Sequence, residues 1–322
     1  MSELPKFVEF HEEGPREGFQ SEKKLFSLEE RVGLIDALSD TGLKQIQVAS
    51  FVSPKAVPAM ADAADLFGAI KRTEGVRYTG LWLNENGFER AAAAPKVDLD
   101  GVFCLYTSEP FCKSNNNCSI EDMRQKQIGW LDAYARHGVS LDVVYILTAF
   151  GCNMQGEIPM EVVVENVEFI QALCAERNLK MPTIYIADTM GWANPVEVKK
   201  RVGIVQKMAP DARIGMHIHD TRGMGAANFF AALEMGVDLF DSSIAGLGGC
   251  PFGCFADMTA AGNICTEDMV LMCHELGIET GIDLPKLIEA ARMAETIIGR
   301  SLMGRVMHTG TLDVIRDKRK AV

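Results

Sequence analysis

The segment Gly215-Met-His-Ile-His-Asp-Thr-Arg222 has the pattern of a β-strand that ends in a turn, and it places two histidines two residues apart. Side chains alternate between the two faces of a strand, so His217 and His219 are expected to point the same way. Two imidazoles on one face at a strand end form half of a divalent-metal site. A pair of surface histidines can alternate in the same way by chance, so this pair alone leaves both interpretations open.

This strand is the seventh of eight short apolar runs that alternate with longer amphipathic stretches along the chain. The predicted strands are Phe7–Glu12, Gln45–Ser50, Arg77–Leu83, Gly101–Tyr106, Ser140–Leu147, Thr183–Ala187, Arg213–His219 and Leu239–Ala245. The predicted helices between them include Leu28–Thr41, Ile120–His137, Met160–Arg177, Pro195–Met208 and Gly223–Met235. Strands that alternate with helices indicate parallel βαβ units.

Eight such units in 322 residues favour a closed (β/α)₈ TIM barrel over an open doubly wound sheet. The open sheet of a dinucleotide-binding fold needs a glycine fingerprint after its first strand, and Glu13-Gly-Pro-Arg-Glu-Gly18 does not provide one. The glycine cluster Gly246-Leu-Gly-Gly-Cys-Pro251 follows the eighth strand and has Pro251 where the third glycine of the fingerprint should stand. We therefore expect an α/β barrel over residues 1–262, with residues 263–322 as a C-terminal helical extension packed on it in one structural unit.

Composition excludes several classes of protein and partner. The net charge of −12 argues against nucleic acid and against an anionic membrane surface. The nine cysteines form no CxxC pair, which fits free thiols in a reducing compartment. The first residues lack the features of a targeting segment, and no run of about 18 apolar residues occurs. We expect a soluble cytoplasmic protein that acts on a small molecule.

Polar residues are concentrated where the predicted strands end, which is where a barrel of this kind builds its active site. They are Arg16, Glu17 and Gln20 after strand one, Ser50 after strand two, Asp188 and Thr189 after strand six, and the two histidines of strand seven. Plainer explanations exist for some of them: Arg16 and Glu17 could form a solvated turn, and Asp188 could form an Asx turn. Cys250 could be a small buried residue, but its glycine-rich setting favours a mobile loop that carries a thiol acid or base.

With these residues in place, the chain resembles the 3-hydroxy-3-methylglutaryl-CoA lyases, a family of metal-dependent TIM barrels. The resemblance extends from Glu13 to about Arg305. Its motifs are Gly14-Pro-Arg-Glu-Gly-Phe-Gln20, Ser50-Phe-Val-Ser-Pro-Lys55, Asn117-Cys-Ser-Ile-Glu121, Phe150-Gly-Cys152, Asp188-Thr-Met-Gly191, His217-Ile-His-Asp-Thr221, Asp241-Ser-Ser-Ile-Ala-Gly-Leu-Gly-Gly-Cys-Pro251 and Gly262-Asn-Ile-Cys-Thr-Glu-Asp268. The Ala-Gly-Leu-Gly-Gly-Cys-Pro loop is the most specific of these motifs.

The resemblance implies Mg²⁺ or Mn²⁺ as cofactor, a coenzyme A thioester as substrate and a homodimer as assembly. The metal ligands it implies are Glu17, His217, His219 and Asn263. The implied reaction is a retro-Claisen cleavage of a 3-hydroxyacyl-CoA into acetyl-CoA and a keto acid. Arg16 would stabilise developing negative charge, Cys250 would protonate the enolate carbon, and Asp188 and His217 would handle the hydroxyl proton. Gln20, Lys23, Gln47, Ser50 and Thr189 are the implied substrate-binding residues.

The sequence departs from the family pattern in four places. Glu17 stands where the lyases have aspartate, and Gln47 stands where they have a glutamate, which removes a negative charge from the site. The stretch between Cys250 and Asn263 is longer than expected and contains Cys254. Gly299-Arg-Ser301 lacks an asparagine and a lysine associated with coenzyme A recognition. These changes are compatible with the same class of chemistry but leave the identity of the acyl group open.

The leading hypothesis is a lyase for 3-hydroxy-3-methylglutaryl-CoA or a relative such as citramalyl-CoA or a bulkier 3-substituted hydroxyglutaryl-CoA. One alternative is a condensing synthase of the isopropylmalate-synthase type, which shares the metal residues. Such synthases usually carry a regulatory domain that this chain is too short to hold. Another alternative is a metal-binding barrel that has lost activity and serves as a partner protein, which Glu17 and Gln47 motivate.

Overall fold

A computed structural model describes residues 4–249 and 260–320 of the chain. Eight parallel strands alternate with helices and curl into the predicted (β/α)₈ TIM barrel. The barrel strands are β1 (Glu9–Glu12), β2 (Gln45–Ser50), β3 (Arg77–Leu81), β4 (Gly101–Tyr106), β5 (Leu141–Leu147), β6 (Thr183–Asp188), β7 (Ile214–Ile218) and β8 (Leu239–Ser242). They lie in the order β3-β2-β1-β8-β7-β6-β5-β4, so that β1 pairs with both β2 and β8.

The helices form the outer ring, and a short antiparallel hairpin of Gly151–Cys152 and Gly156–Glu157 follows β5. The longer helices are Leu28–Ser39, Ala63–Ala69, Glu85–Ala93, Glu109–Asn116, Ile120–Arg136, Met160–Arg177, Pro195–Met208, Gly225–Glu234, Thr266–Glu275, Leu284–Ile298 and Leu312–Lys320. Short turns of helix cover Gly14–Gly18, Phe19–Ser21, Pro58–Met60, Ile244–Gly246 and Val306–Thr309. None of the helices in these two described ranges is long and apolar enough to cross a membrane.

Local signals in the sequence set several helix starts. Ser27 and Glu30 form a reciprocal capping box, with the Glu30 amide donating to Ser27 Oγ over 3.1 Å. Asn194 caps the helix that begins at Pro195 by accepting hydrogen bonds from two backbone amides. The predicted and observed strands agree except for a few residues at their ends, such as β1, which begins at Glu9 rather than Phe7.

The core occupies the space between the barrel wall and the helices. All six residues of β2 are buried, as expected for a strand with side chains inside the barrel on one face and helices on the other. Three phenylalanines join neighbouring elements, because the ring of Phe229 lies 5.9 Å from that of Phe10 and 4.4 Å from that of Phe240.

The segment that follows residue 260 forms backbone pairs with the barrel wall. Asn263 pairs with His219 in an antiparallel bridge, and Cys265 pairs with Ser243. Further on, the helix Leu284–Ile298 packs against the helix Leu28–Ser39, and the Asp283 amide donates to the carbonyl of Thr41. The C-terminal helices thus pack on the barrel, and their first residues extend the wall of its mouth.

Candidate active site

A cavity opens at the carboxyl ends of the barrel strands and has two chemically different sides. One side is polar and includes Glu13, Arg16, Glu17, Gln47, His217 and His219. The other side is largely apolar and includes Leu81, Leu83, Tyr106, Phe111 and Leu147. The polar side gathers residues from β1, β2 and β7 at one place, as the sequence predicts for a barrel mouth.

The two histidines of β7 converge on one point within the cavity. Their Nε2 atoms lie 3.1 Å apart. The outer nitrogen of each ring faces an acceptor: Nδ1 of His217 lies 2.9 Å from Asp241 Oδ2, and Nδ1 of His219 lies 3.0 Å from the carbonyl oxygen of Ala261. These acceptors favour the tautomer in which the Nε2 lone pairs are free to bind a ligand.

Burial and neighbouring charges act differently on the two imidazoles. Burial lowers the pKa of His219 below its usual value, because the charged form loses solvation. Burial also acts on His217, but the hydrogen bond and charge of Asp241 outweigh it and raise its pKa. Asp241 therefore orients His217 and makes it a more basic ligand.

Glu17 and Asn263 complete the polar cluster. Glu17 Oε1 lies 3.6 Å from His219 Nε2, and Glu17 Oε2 accepts a hydrogen bond of 3.2 Å from the Asn263 side-chain amide. Although burial opposes ionisation of Glu17, the nearby His219 and Arg16 charges hold its pKa below the usual value. Asn263 Oδ1 is buried and has no hydrogen-bond partner among the described residues.

These four residues fit a divalent cation. Glu17, His217 and His219 each offer a ligand atom, and these atoms lie within 4.8 Å of one another. The unpaired Asn263 Oδ1 adds an oxygen whose burial is costly unless it meets a donor or a cation. A mixed set of two nitrogens and two oxygens suits Mn²⁺, and also Mg²⁺ when water or substrate supplies further oxygens.

Arg16 is held in the cavity wall by three neighbours. It lies on the π-helical turn Gly14–Gly18, directly after β1. Its Nε donates to Gln47 Oε1, its Nη2 donates to Glu13 Oε2, and its Nη1 lies 3.5 Å from Glu17 Oε2. The guanidinium is therefore fixed by acceptors on several sides, with its charge facing the polar side of the cavity.

Sequence reasoning missed the roles of Glu13 and Asp241, although both stand inside motifs of the family resemblance or beside them. Asp241 could have been found from register, since it pairs with His217 across β7 and β8. Glu13 is only 2% exposed and lines the cavity. Burial raises the pKa of Glu13 above its usual value, while the adjacent charge of Arg16 opposes that shift.

The implied substrate-binding residues divide into two groups. Gln20, Gln47 and Thr189 line the cavity, and Ser50 at the end of β2 supports Gln20 by donating a 3.0 Å hydrogen bond to its side-chain oxygen. Lys23 is exposed on the loop between the helices Phe19–Ser21 and Leu28–Ser39, away from the residues that line the cavity.

Asp188 lies at the end of β6, but its carboxylate serves the following loop. Its two oxygens accept hydrogen bonds from the backbone amides of Trp192, over 2.6 Å, and Ala193, over 3.1 Å. Burial raises its pKa to about 6. The Asx-turn interpretation thus describes this geometry, and Asp188 is not among the residues that line the cavity.

Cys250, the predicted proton donor, lies outside the described residues, as does Cys254. The preceding residue, Gly249, lines the cavity and its amide donates to Glu17 Oε1 over 3.3 Å. The catalytic role of Cys250 stays a prediction.

Comparison with known proteins agrees with this geometry. A hydroxymethylglutaryl-CoA lyase from Macaca fascicularis is 40% identical over 309 residues, which cover 95% of this chain and 90% of that protein. A Pseudomonas aeruginosa lyase named for 3-hydroxy-3-isohexenylglutaryl-CoA and hydroxymethylglutaryl-CoA is 37% identical, covering 92% of this chain and 95% of its own. An Acinetobacter baumannii lyase, solved with coenzyme A and 3-methylmalate, superposes with a TM-score of 0.85 at 33% identity and 97% coverage of both chains.

These relatives confirm the predicted enzyme class, a carbon–carbon lyase of the hydroxymethylglutaryl-CoA lyase type, and the TIM-barrel fold. The family model described as HMGL-like matches residues 7–294, which is most of the barrel and its C-terminal helices. The chain belongs to the HMGL-like family.

Proposed function

We propose that this protein cleaves a 3-hydroxy-3-alkylglutaryl-CoA into acetyl-CoA and a keto acid, with a divalent cation at the mouth of the barrel. The observation that carries the proposal is the convergence of two imidazole nitrogens, one carboxylate and one unpaired amide oxygen beside the fixed charge of Arg16. The named activities of the relatives support the same reaction.

The cation would be held by Glu17, His217, His219 and Asn263. When bound, Mg²⁺ or Mn²⁺ supplies Lewis acidity, which lowers the pKa of a coordinated hydroxyl and orients the substrate. Asp241 contributes by fixing the tautomer of His217, as carboxylates commonly do for metal-binding histidines.

Arg16 is the residue best placed to stabilise negative charge on the thioester oxygen. Its side chain lines the cavity and is anchored by Gln47 and Glu13, so it needs little reorganisation when charge develops. Cys250 would return a proton to the acetyl carbon after the carbon–carbon bond breaks.

His217 and Asp188 are the two residues predicted to accept the hydroxyl proton, and their surroundings in the structure differ. His217 lines the cavity, whereas both oxygens of Asp188 already accept backbone hydrogen bonds. Nε2 of His217 would hold the cation and its Nδ1 faces Asp241, so neither ring nitrogen is left to accept a proton while the cation is bound. We therefore assign His217 to the cation and Asp188 to the support of the loop that follows β6, and their role as proton acceptors stays a prediction.

The apolar side of the cavity supports a substrate with an alkyl group at C3. Leu81, Leu83 and Phe111 line the same cavity as the polar cluster and can bury such a group, which gains about 0.8 kcal/mol per methylene. The Pseudomonas aeruginosa relative is named for an isohexenyl substrate as well as a methyl one. We propose coenzyme A thioesters of 3-hydroxyglutarates as the substrate class, and a cytoplasmic homodimer as the form in which the enzyme acts.

A panel of thioesters tests this function. Purified protein is incubated with Mg²⁺ and 3-hydroxyacyl-CoA substrates whose C3 substituent grows from methyl to branched alkyl, and acetyl-CoA and keto acid are quantified. We expect equal amounts of both products from at least one member. Condensation of acetyl-CoA onto an α-keto acid, with no cleavage of any panel member, would instead support a synthase.

A further inference from the structure

Glu13 is a buried carboxylate that the proposed function uses only to anchor Arg16. It directly follows β1 and is held by a 2.8 Å hydrogen bond from its own amide to the carbonyl of Ser242 on β8. It is 2% exposed and lines the same cavity as the polar cluster. Its position is therefore fixed by the barrel wall rather than by a mobile loop.

The two oxygens of Glu13 have different surroundings. Oε2 accepts from Arg16 Nη2. Oε1 is buried and has no hydrogen-bond partner within the described part of the chain. Leaving a buried carboxylate oxygen unpaired is costly, so such an atom calls for a donor that the protein alone does not provide.

Substrate chemistry identifies that donor. The ion pair with the Arg16 guanidinium favours the ionised form of Glu13, and an ionised carboxylate only accepts hydrogen bonds. The acyl portion of a 3-hydroxy-3-alkylglutaryl-CoA carries one O–H group at neutral pH, while its carboxylate and thioester oxygens are acceptors. Glu13 lines the same cavity as the cation ligands Glu17, His217 and His219, near which the hydroxyl would bind.

We propose that Glu13 Oε1 accepts a hydrogen bond from the substrate's 3-hydroxyl, so that Glu13 selects hydroxylated acyl-CoA thioesters and orients the hydroxyl for cleavage. The inference rests on the proposed function, because it needs a 3-hydroxyacyl substrate in this cavity. Arg16 keeps Oε2 occupied, which leaves Oε1 as the atom that meets the substrate.

The arginine also makes Glu13→Gln a specific probe. Arg16 can only donate hydrogen bonds, so it retains the amide oxygen of the new side chain and turns the NH₂ group toward the position of Oε1. The substitution thus replaces an acceptor by a donor at one atom, with almost no change in volume. The guanidinium keeps a partner on that side.

The experiment compares two ligands that differ by the hydroxyl alone. The kcat and KM for 3-hydroxy-3-methylglutaryl-CoA are measured for wild type, Glu13→Gln and Glu13→Asp, and the Kd for 3-methylglutaryl-CoA is measured by calorimetry with Mg²⁺ present. We expect Glu13→Gln to lower kcat/KM by roughly 10- to 100-fold, the usual effect of losing a hydrogen bond to a charged group. The Kd of the deoxy ligand should change by less than about threefold, because it makes no such bond.

The matched control is Glu9→Gln, which neutralises a carboxylate on β1, the strand that Glu13 directly follows. Glu9 pairs with Arg213 away from the cavity, so both quantities should stay at the wild-type value. Glu13→Asp keeps the charge and should give an intermediate loss for the hydroxylated substrate, which decides the matter if Glu13→Gln does not fold.

An equal loss for both ligands, or no loss for either, would overturn the role of Glu13. Failure of the proposed function is recognised separately, because wild-type protein would then release no acetyl-CoA at all, and the assignment of Glu13 would fall with it.

Discussion

His217 and His219 share one face of β7, yet they are held by different acceptors. The backbone carbonyl of Ala261 orients His219, whereas a buried carboxylate orients His217. A carboxylate behind a metal-binding histidine raises its basicity and fixes its ring, and such partners commonly account for 10- to 100-fold in metal affinity. Asp241 would thus support the proposed metal site through His217 rather than as a ligand of the cation.

Asp241→Asn tests this arrangement at the scale of a single residue. The amide cannot supply the negative charge that raises the pKa of His217, so we expect Mn²⁺ affinity to fall by roughly 10- to 100-fold. Electron paramagnetic resonance of free Mn²⁺ measures the affinity directly. His308→Ala, an exposed histidine paired with Glu295, serves as the control and should bind Mn²⁺ like wild type. Unchanged affinity in Asp241→Asn would show that His217 needs no such support.

Individual site residues were predictable where the strand pattern places them. The two-residue spacing of the histidines and the position of Arg16 after the first strand led to the polar side of the cavity. Asn263 and Glu17 came from the family resemblance. The role of Glu13 was not predicted, because its burial and its unpaired oxygen result from contacts with Arg16 and β8. No local sequence pattern indicates those contacts.

At the scale of elements, the loop after β8 approaches Glu17 so closely that only glycine fits at position 248. Gly248 has φ of +109°, and a Cβ built on it would lie 2.9 Å from Glu17 Oε1. A side chain there is disfavoured both by the backbone conformation and by the carboxylate that would bind the cation.

Gly248→Ala should therefore displace Glu17 and lower both Mn²⁺ affinity and lyase activity by about tenfold or more, as loss of a supporting contact in a metal site does. Gly129→Ala is the matched control, since Gly129 lies in the helix Ile120–Arg136 and, apart from the backbone of that helix, no described residue has an atom within 4 Å of its Cβ position. That variant should keep full activity and gain roughly 0.5–1 kcal/mol of stability. Wild-type Mn²⁺ binding by Gly248→Ala would contradict the close approach to Glu17.

The elements themselves were predicted well because their signals are local. Alternation, caps and proline positions define β7 and the helices that begin at Leu28 and Pro195. The antiparallel bridge between His219 and Asn263 was not predicted as structure, because it joins distant parts of the chain and is two residues long. The hairpin of Gly151–Cys152 and Gly156–Glu157 was not predicted either, because each of its strands is only two residues long.

At the scale of the whole molecule, buried carboxylates link stability to pH. Glu267 is fully buried at the start of the helix Thr266–Glu275, and its Oε2 accepts from the Ala245 amide over 3.0 Å. Burial raises its pKa from 4.5 to about 7. Between these values the folded protein holds a proton that the unfolded chain has released, so stability falls as the pH rises through this window.

Glu267→Gln removes this linkage. From pH 5 to 7 we expect the free energy of unfolding to decline less steeply in Glu267→Gln than in wild type. The two slopes should differ by at most about 1.4 kcal/mol per pH unit. Urea midpoints at each pH measure the change. Glu289→Gln, at an exposed position of the helix Leu284–Ile298, should leave the pH dependence unchanged. Identical pH profiles for wild type and Glu267→Gln would mean that Glu267 titrates alike in both states.

The barrel as a whole could be predicted from eight strands in alternation with helices, but its closure at the mouth could not. The helix Leu284–Ile298 packs against the helix Leu28–Ser39, far away in sequence, and Asn263 and Cys265 pair with residues that directly follow β7 and β8. Such long-range packing follows from the shape of the assembled barrel rather than from periodicity.

The most direct test of the central claim is acetyl-CoA release from 3-hydroxy-3-methylglutaryl-CoA by protein stripped of metal and then reconstituted. Stripped protein should be inactive, and Mg²⁺ or Mn²⁺ should restore one acetyl-CoA per thioester consumed in wild type but not in His219→Ala. Turnover by the stripped protein at the wild-type rate, or no acetyl-CoA from the reconstituted enzyme, would contradict a cation-dependent lyase site at Glu17, His217, His219 and Asn263.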